Sequence, residues 1–192
     1  ETAYADYRNP QEKDVADSLE NASANEMSLI ENAYRFVRDK IHHSGDVQDG
    51  SAAVSASDIL REGARTCWAK ADLLAALLRA NGIPAGFSYQ RAILEDAFDA
   101  GYCIHALTAV HISSLDAWIR LDARGNREGV HAELSLDEEK PAFAIRSDGK
   151  VDYHDNHPAP DHRLMNVLKE STDAIDMYPH HLPDTLTFDI SG

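Results

Sequence analysis

Cysteine is scarce in this chain of 192 residues, which holds only Cys67 and Cys103. Two thiols cannot build the disulfide framework that staples small secreted domains, and a chain of this length buries enough core not to need one. Long apolar runs are absent as well. Nothing approaches the roughly 20 consecutive apolar residues that cross a bilayer, so no membrane partner is expected. No basic stretch followed by an apolar one opens the chain, and the reading that follows is a cytoplasmic protein with reduced thiols. Positive charge is also in short supply. Eighteen Lys and Arg stand against 33 Asp and Glu, for a net charge of -15. Phosphate backbones require Lys and Arg, so nucleic acid is excluded as a partner, while neutral or basic substrates remain compatible. Metal-ligand patterns are missing too. "HDNHPAPDH" gathers His154, His157 and His162, but at no recognised zinc spacing and with two prolines, so it reads as an extended loop. No metal and no cofactor are expected.

What is present is a single-domain pattern of helices first and strands afterwards. Residues 1–25 are polar and weakly patterned, and read as a helical N-terminal extension. Met27, Ile30, Tyr34, Val37 and Ile41 recur at three- and four-residue steps, which predicts an amphipathic helix over 26–41. Residues 42–55 read as loop, and Ser57 as the N-cap of a short helix ending at Gly63. Thr66 caps a second long helix over 67–80, with Leu73, Leu74, Leu77 and Leu78 on one face and Asn81-Gly82 with Pro84 as its stop. Strands are expected at 86–94, 103–113 and 117–124, the last two forming an antiparallel hairpin, with one more short strand within 137–146. Residues 147–161 read as a Pro-, Asp- and His-rich loop, 161–175 as weakly helical, and the end as irregular. The order argues for an α+β fold with a core of about 27–146.

Cys67 falls in the first turn of the 67–80 helix. Orphan N–H groups and the helix dipole at that position favour a thiolate, and the same N–H groups can donate to the oxyanion of a tetrahedral intermediate. A nucleophilic thiol needs an imidazole beside it, oriented by a carboxylate or amide. On the 103–113 strand, alternation puts Ile104, Ala106, Val110 and Ile112 on one face and Cys103, His105, Leu107 and Ala109 on the other. If the hairpin turns near Ser113–Leu115, His105 and Asp122 come within a few residues of facing each other. Each residue alone has a plainer use: Cys67 as a small buried hydrophobe, His105 as a core histidine, Asp122 as a strand end. Together, in this order, they form a candidate Cys67–His105–Asp122 set. Trp68, Tyr89, Gln90 and Tyr102 are candidates for lining a substrate cleft, and Cys103 for packing behind the site.

"TCWAKADLLAALLRANGIPAGF", "YCIHALTAV" and "WIRLDARGN" resemble, in that order, the three motifs of the transglutaminase-like superfamily. The resemblance covers about residues 27–126. It implies a papain-like α+β fold in which the nucleophile helix packs on an antiparallel sheet. It further implies that Cys67 attacks a carbonyl, that His105 serves as general base and then acid, and that Asp122 orients His105. The reaction class it implies is acyl transfer at an amide or ester through a thioester, with a peptide or protein as acyl donor. Water as acceptor gives a peptidase or amidase; an amine gives a cross-linker. A catalytically silent module that binds proteins or peptides is the alternative reading. Arylamine acetyltransferases share the triad, but Gly63-Ala64-Arg65-Thr66 replaces their Arg-Gly-Gly before the cysteine, which disfavours that branch. Thr66 also stands where many members carry Gly, and Ala106 where many carry Trp after the His.

Overall fold

The computed structural model describes residues 9–48, 50, 60, 64–93, 101–143, 150–183 and 185–186. Two helices open it. α1 (Pro10–Asn21) is capped by the Asn9 side chain, which accepts from the Gln11 N–H, with Pro10 in the first turn where its missing N–H costs nothing. The sequence reading calls this polar stretch a helical extension but places no helix bounds in it. Its amphipathic signal is thin, but Ala16 is fully buried and the Asn81 amide donates to its carbonyl, so tertiary packing completes what propensity leaves marginal. α2 (Glu26–Lys40) follows, begun by a capping box between Asn25 and Ser28, and buries Leu29, Ile30, Ala33, Tyr34 and Val37.

Two short elements replace the loop expected after α2. β1 (His42–His43) leads into α3 (Ser44–Val47). β1 pairs in parallel with β2 (Ala64–Arg65), His43 opposite Arg65. The helix expected over 58–63 lies outside the described residues, apart from Leu60.

α4 (Cys67–Ala80) is the central helix, over the span its sequence predicted. Every residue from Cys67 to Leu78 is buried, because α1 and α2 pack on one side and the sheet on the other. Its chain reversal uses Gly82 at φ +74, a backbone conformation that other residues adopt only with strain. The sheet is antiparallel throughout, in the order β5 (Ala117–Leu121), β4 (Tyr102–Ile112), β3 (Ala85–Ile93) and β6 (Val151–His157). β3 and β4 pair along their whole length, and β4 continues through a turn into β5. That turn, at Ser113–Asp116, is where the hairpin was expected, with Ile112 opposite Ala117. The Glu26 carboxylate accepts from the Ser113 and Ser114 N–H groups and ties the turn to the start of α2.

One expectation for the C-terminal third fails, and a second lies partly outside the described residues. The stretch read as a His-rich loop contains β6 (Val151–His157), which adds to the free edge of β3. Its own pattern is polar, so nothing local announces a strand; the partner edge supplies the order. Gly86 makes the pairing possible, since a Cβ there would sit 2.5 Å from the His157 carbonyl oxygen. The expected strand within 137–146 is absent among its described residues, 137–143, where only an isolated bridge joins Glu133 to Lys140. The single weak helix becomes two, α5 (His162–Glu170) and α6 (Ala174–His180), capped by the Asp161 and Asp173 side chains.

Candidate active site

Cys67 is the first residue of α4. Thr66 caps that helix: its hydroxyl accepts from the Ala69 N–H at 3.3 Å and its carbonyl from the Lys70 N–H at 3.0 Å. The first-turn N–H groups of a helix have no intrahelical acceptor, so the thiol sits at a positive helix end. The β1–β2 pairing fixes the chain that leads into this turn. Trp68 locks the helix start to the sheet, its indole N–H donating to the Ile104 carbonyl at 2.7 Å.

His105 comes from β4, one residue after that carbonyl. Ile104 and Ala106 point into the core against α4, so His105 projects from the opposite face, as alternation requires. β5 accompanies β4 as far as the Thr108–Leu121 pair. Asp122 follows at once, and its Oδ2 lies 2.7 Å from His105 Nε2. Oδ2 also accepts from the Ala142 N–H at 2.7 Å, and Oδ1 from the Arg124 N–H at 3.0 Å. The carboxylate is thus held by three donors. With Nε2 turned to Asp122, Nδ1 is the ring nitrogen left for a second partner, and Cys67 lies near enough for its charge to bear on the ring. Phe143 packs edge-on against the imidazole, ring centroids 5.2 Å apart.

All three side chains are enclosed, with exposures of 4% for Cys67, 2% for His105 and 3% for Asp122. Burial alone would lower the His105 pKa. The charges of Asp122 and Cys67 and the hydrogen bond to Asp122 outweigh it and raise the pKa to about 10. Burial pushes Asp122 the other way, but the His105 charge and the three donors hold its carboxyl below the usual range. Cys103 lies two residues before His105 on the same face. Burial first, and then the charge of Cys67, push its thiol up to about 12.

Residues expected to line a cleft have separate fates. Gln90 sits directly across from His105 on β3 and bonds through its side chain to Asp152. Tyr102 is half-buried at the start of β4, with the Arg91 guanidinium 3.6 Å above its ring. Trp68 and Tyr89 are buried in structural roles; the Tyr89 hydroxyl accepts from the Asp161 N–H at 2.7 Å. Sequence reasoning missed a second layer of charge. Arg124, 6% exposed, forms two bonds of 2.8 Å to Asp46 of α3 and stacks over Phe143. His43 is buried nearby, and burial with the Arg124 charge lowers its pKa to about 3. Lys70, one turn below Cys67, is fully buried. A lysine inside the apolar run "CWAKADLLAALL" was the one visible signal of this layer.

A central helix packed on an antiparallel sheet, with a cysteine as the first residue of the helix, is the core of a papain-like α+β protein. The chain belongs to the transglutaminase-like superfamily, whose core model matches residues 13–123. Among solved structures it is similar to a candidate cysteine protease from Cytophaga hutchinsonii, at 24% identity and a TM-score of 0.52 over 64% of this chain and 39% of that one. It is also similar to the periplasmic domain of TgpA from Pseudomonas aeruginosa bound to ethylmercury, at 25% identity and a TM-score of 0.43 over 60% of this chain and 44% of that one. The chain therefore spans less than half the length of either. No curated protein matches it. Among the described residues, no helix is long and apolar enough to cross a membrane.

Proposed function

We propose that the protein catalyses cysteine-dependent acyl transfer at peptide or protein amide bonds, with Cys67 as nucleophile, His105 as proton carrier and Asp122 as its orienting carboxylate. The observation that carries this reading is His105, hydrogen-bonded to Asp122 at 2.7 Å through Nε2 and near enough to Cys67 for the two to interact electrostatically. In this scheme Asp122 fixes the ring so that Nδ1 exchanges a proton with the thiol. The thiolate attacks the carbonyl carbon, and the developing oxyanion meets first-turn N–H groups of α4. His105 then gives its proton to the leaving amine as the C–N bond breaks, leaving a thioester on Cys67. Water or a primary amine attacks the thioester, His105 takes the proton from that nucleophile, and Cys67 is released as thiolate.

One observation favours a second reading, a binding module without turnover: the thiol is almost fully enclosed. A mixture of glutamine-containing peptides with a fluorescent primary amine separates the two. Acid quenching followed by mass spectrometry is expected to find acylated Cys67, with peptide hydrolysed or joined to the amine. Peptides that bind but never acylate Cys67 would leave the binding module as the surviving reading. The ratio of hydrolysed to amine-joined product assigns the acceptor.

A further inference from the structure

Lys70 is the most deeply buried cation among the described residues, and the proposed chemistry makes no use of it. Its ammonium donates to three backbone carbonyls. Two belong to the end of α2: Arg38, at 3.3 Å, and Ile41, in a short bond. The third is Arg124, at 2.8 Å, two residues after Asp122. A protonated lysine has three N–H donors and no acceptor, so the carbonyl cage matches the charged form. A neutral amine would leave one carbonyl without a donor.

The cage joins three parts of the site. Lys70 is rooted in α4 three residues after Cys67, it holds the chain end of α2 that leads into His43 and Asp46, and it grips the turn that carries Asp122. The next residue in that turn, Gly125, has φ +110, and a Cβ there would lie 3.4 Å from Nζ and 3.2 Å from the Arg38 carbonyl oxygen. The turn is therefore folded closely around the ammonium. The Arg124 N–H donates to Asp122 while its carbonyl accepts from Lys70, so a single peptide segment transmits the position of the lysine to the carboxylate.

We infer that Lys70 is a positioning residue: its ammonium clamps the 122–125 turn to α2 and thereby holds the Asp122 carboxylate against His105. The inference rests on the Cys67–His105–Asp122 reading. Asp39 of α2, His43 and Asp46 of the β1–α3 segment, and Asp122 and Arg124 after β5 are the charged and titratable groups around the ammonium. Burial, above all, lowers the Lys70 pKa to about 7, with the Asp122, Asp46 and Asp39 charges opposing that shift and Arg124 adding to it.

The positioning role and its two alternatives, bulk packing and through-space charge, predict different changes in the titration of His105, read from its ring signals by NMR in the full chain. Under the positioning role, Lys70→Met releases the turn, weakens the His105–Asp122 contact and lowers the His105 pKa by about one unit, with turnover falling about tenfold or more. Lys70→Arg, which keeps charge and donors, is expected to recover part of both. A role as bulk packing leaves the His105 pKa of the folded variant unmoved. A role as a through-space charge leaves it unmoved as well, because Lys70, with its pKa lowered to about 7, has lost its charge where His105 titrates. An unmoved or raised value overturns the proposal. Should Lys70→Met not fold, Gly125→Ala disturbs the same turn with the lysine in place and is expected to lower the His105 pKa in the same direction; an unmoved value in that folded variant overturns the proposal as well. Iodoacetamide labelling of the wild type distinguishes this failure from that of the underlying reading. An unreactive wild-type Cys67 contradicts the triad itself, whereas a reactive Cys67 with an unmoved His105 in Lys70→Met contradicts only the clamp.

Discussion

Cys67→Ala is expected to reduce acyl transfer by roughly 10⁴-fold or more, because it removes the only atom that forms the thioester. The fold should survive. The site lies at the N-terminal end of α4, where Thr66 caps the helix and Trp68 fastens it to Ile104, and neither contact involves the sulfur. Alanine is also the best helix former, so the helix start loses nothing in propensity. Turnover of any peptide found to acylate Cys67, together with thermal unfolding of the variant, tests both halves. Activity that persisted in a folded Cys67→Ala would remove the thiol from the mechanism.

Asp122→Asn is expected to have the next largest effect, on the order of 10³- to 10⁴-fold in turnover, by analogy with the loss of an orienting carboxylate in other triads. Asp122 accepts from three N–H groups: His105 and Ala142 on Oδ2, Arg124 on Oδ1. An asparagine must turn its NH₂ toward one side or the other. Toward Arg124 it sets donor against donor at a buried site. Toward His105 it forces Nε2 to accept, which moves the ring proton to Nδ1 and leaves no base facing the thiol. A buried donor left unsatisfied costs about 1–3 kcal/mol, so stability should fall as well.

The same pair sets a pH dependence of stability. The Asp122 carboxyl is held below its ordinary value near 3.8, so its contribution is present above that pH and lost as the pH falls through the lower folded value. The His105 pKa rises from 6.5 to about 10, so its contribution is complete below 6.5 and is lost as the pH climbs toward 10. The stability gap between wild type and Asp122→Asn should therefore be widest near pH 4–6.5 and narrow steadily between pH 7 and 10. Urea denaturation at several pH values measures it, and a gap independent of pH across that range would contradict the ion pair.

Much of the candidate site's geometry was legible because it coincides with local pattern. Cys67 begins a helix whose cap, leucine face and stop are all written in sequence, and the residue itself stands apart from the Leu73, Leu74, Leu77 and Leu78 face. The β4–β5 hairpin has a short turn, and strand alternation then brings His105 and Asp122 to one face. What sequence left out is what depends on distant partners. β6 is polar and takes its order from the edge of β3, helped by the close approach at Gly86. α1 relies on its contact with α4. The Asp46–Arg124 pair joins residues 78 positions apart, and no periodicity reports such a contact. Tyr89 and Trp68 looked like cleft residues because they are aromatic and near the motifs. Their hydrogen bonds to the Asp161 N–H and the Ile104 carbonyl depend on distant partners and are not written in local pattern.

The central claim is that Cys67 is held as a reactive thiolate by His105. Its most direct test is the rate of iodoacetamide alkylation at each cysteine between pH 5 and pH 9, resolved by peptide mass spectrometry. The account predicts that Cys67 reacts at least about 100-fold faster than Cys103 near pH 6, with a profile that stays high well below the roughly 8.5 of a free thiol. Cys103, its thiol pushed up to about 12, should stay slow across the whole range. Equal and slow labelling of both cysteines, or a Cys67 rate that climbs only as a free thiol does, would contradict it.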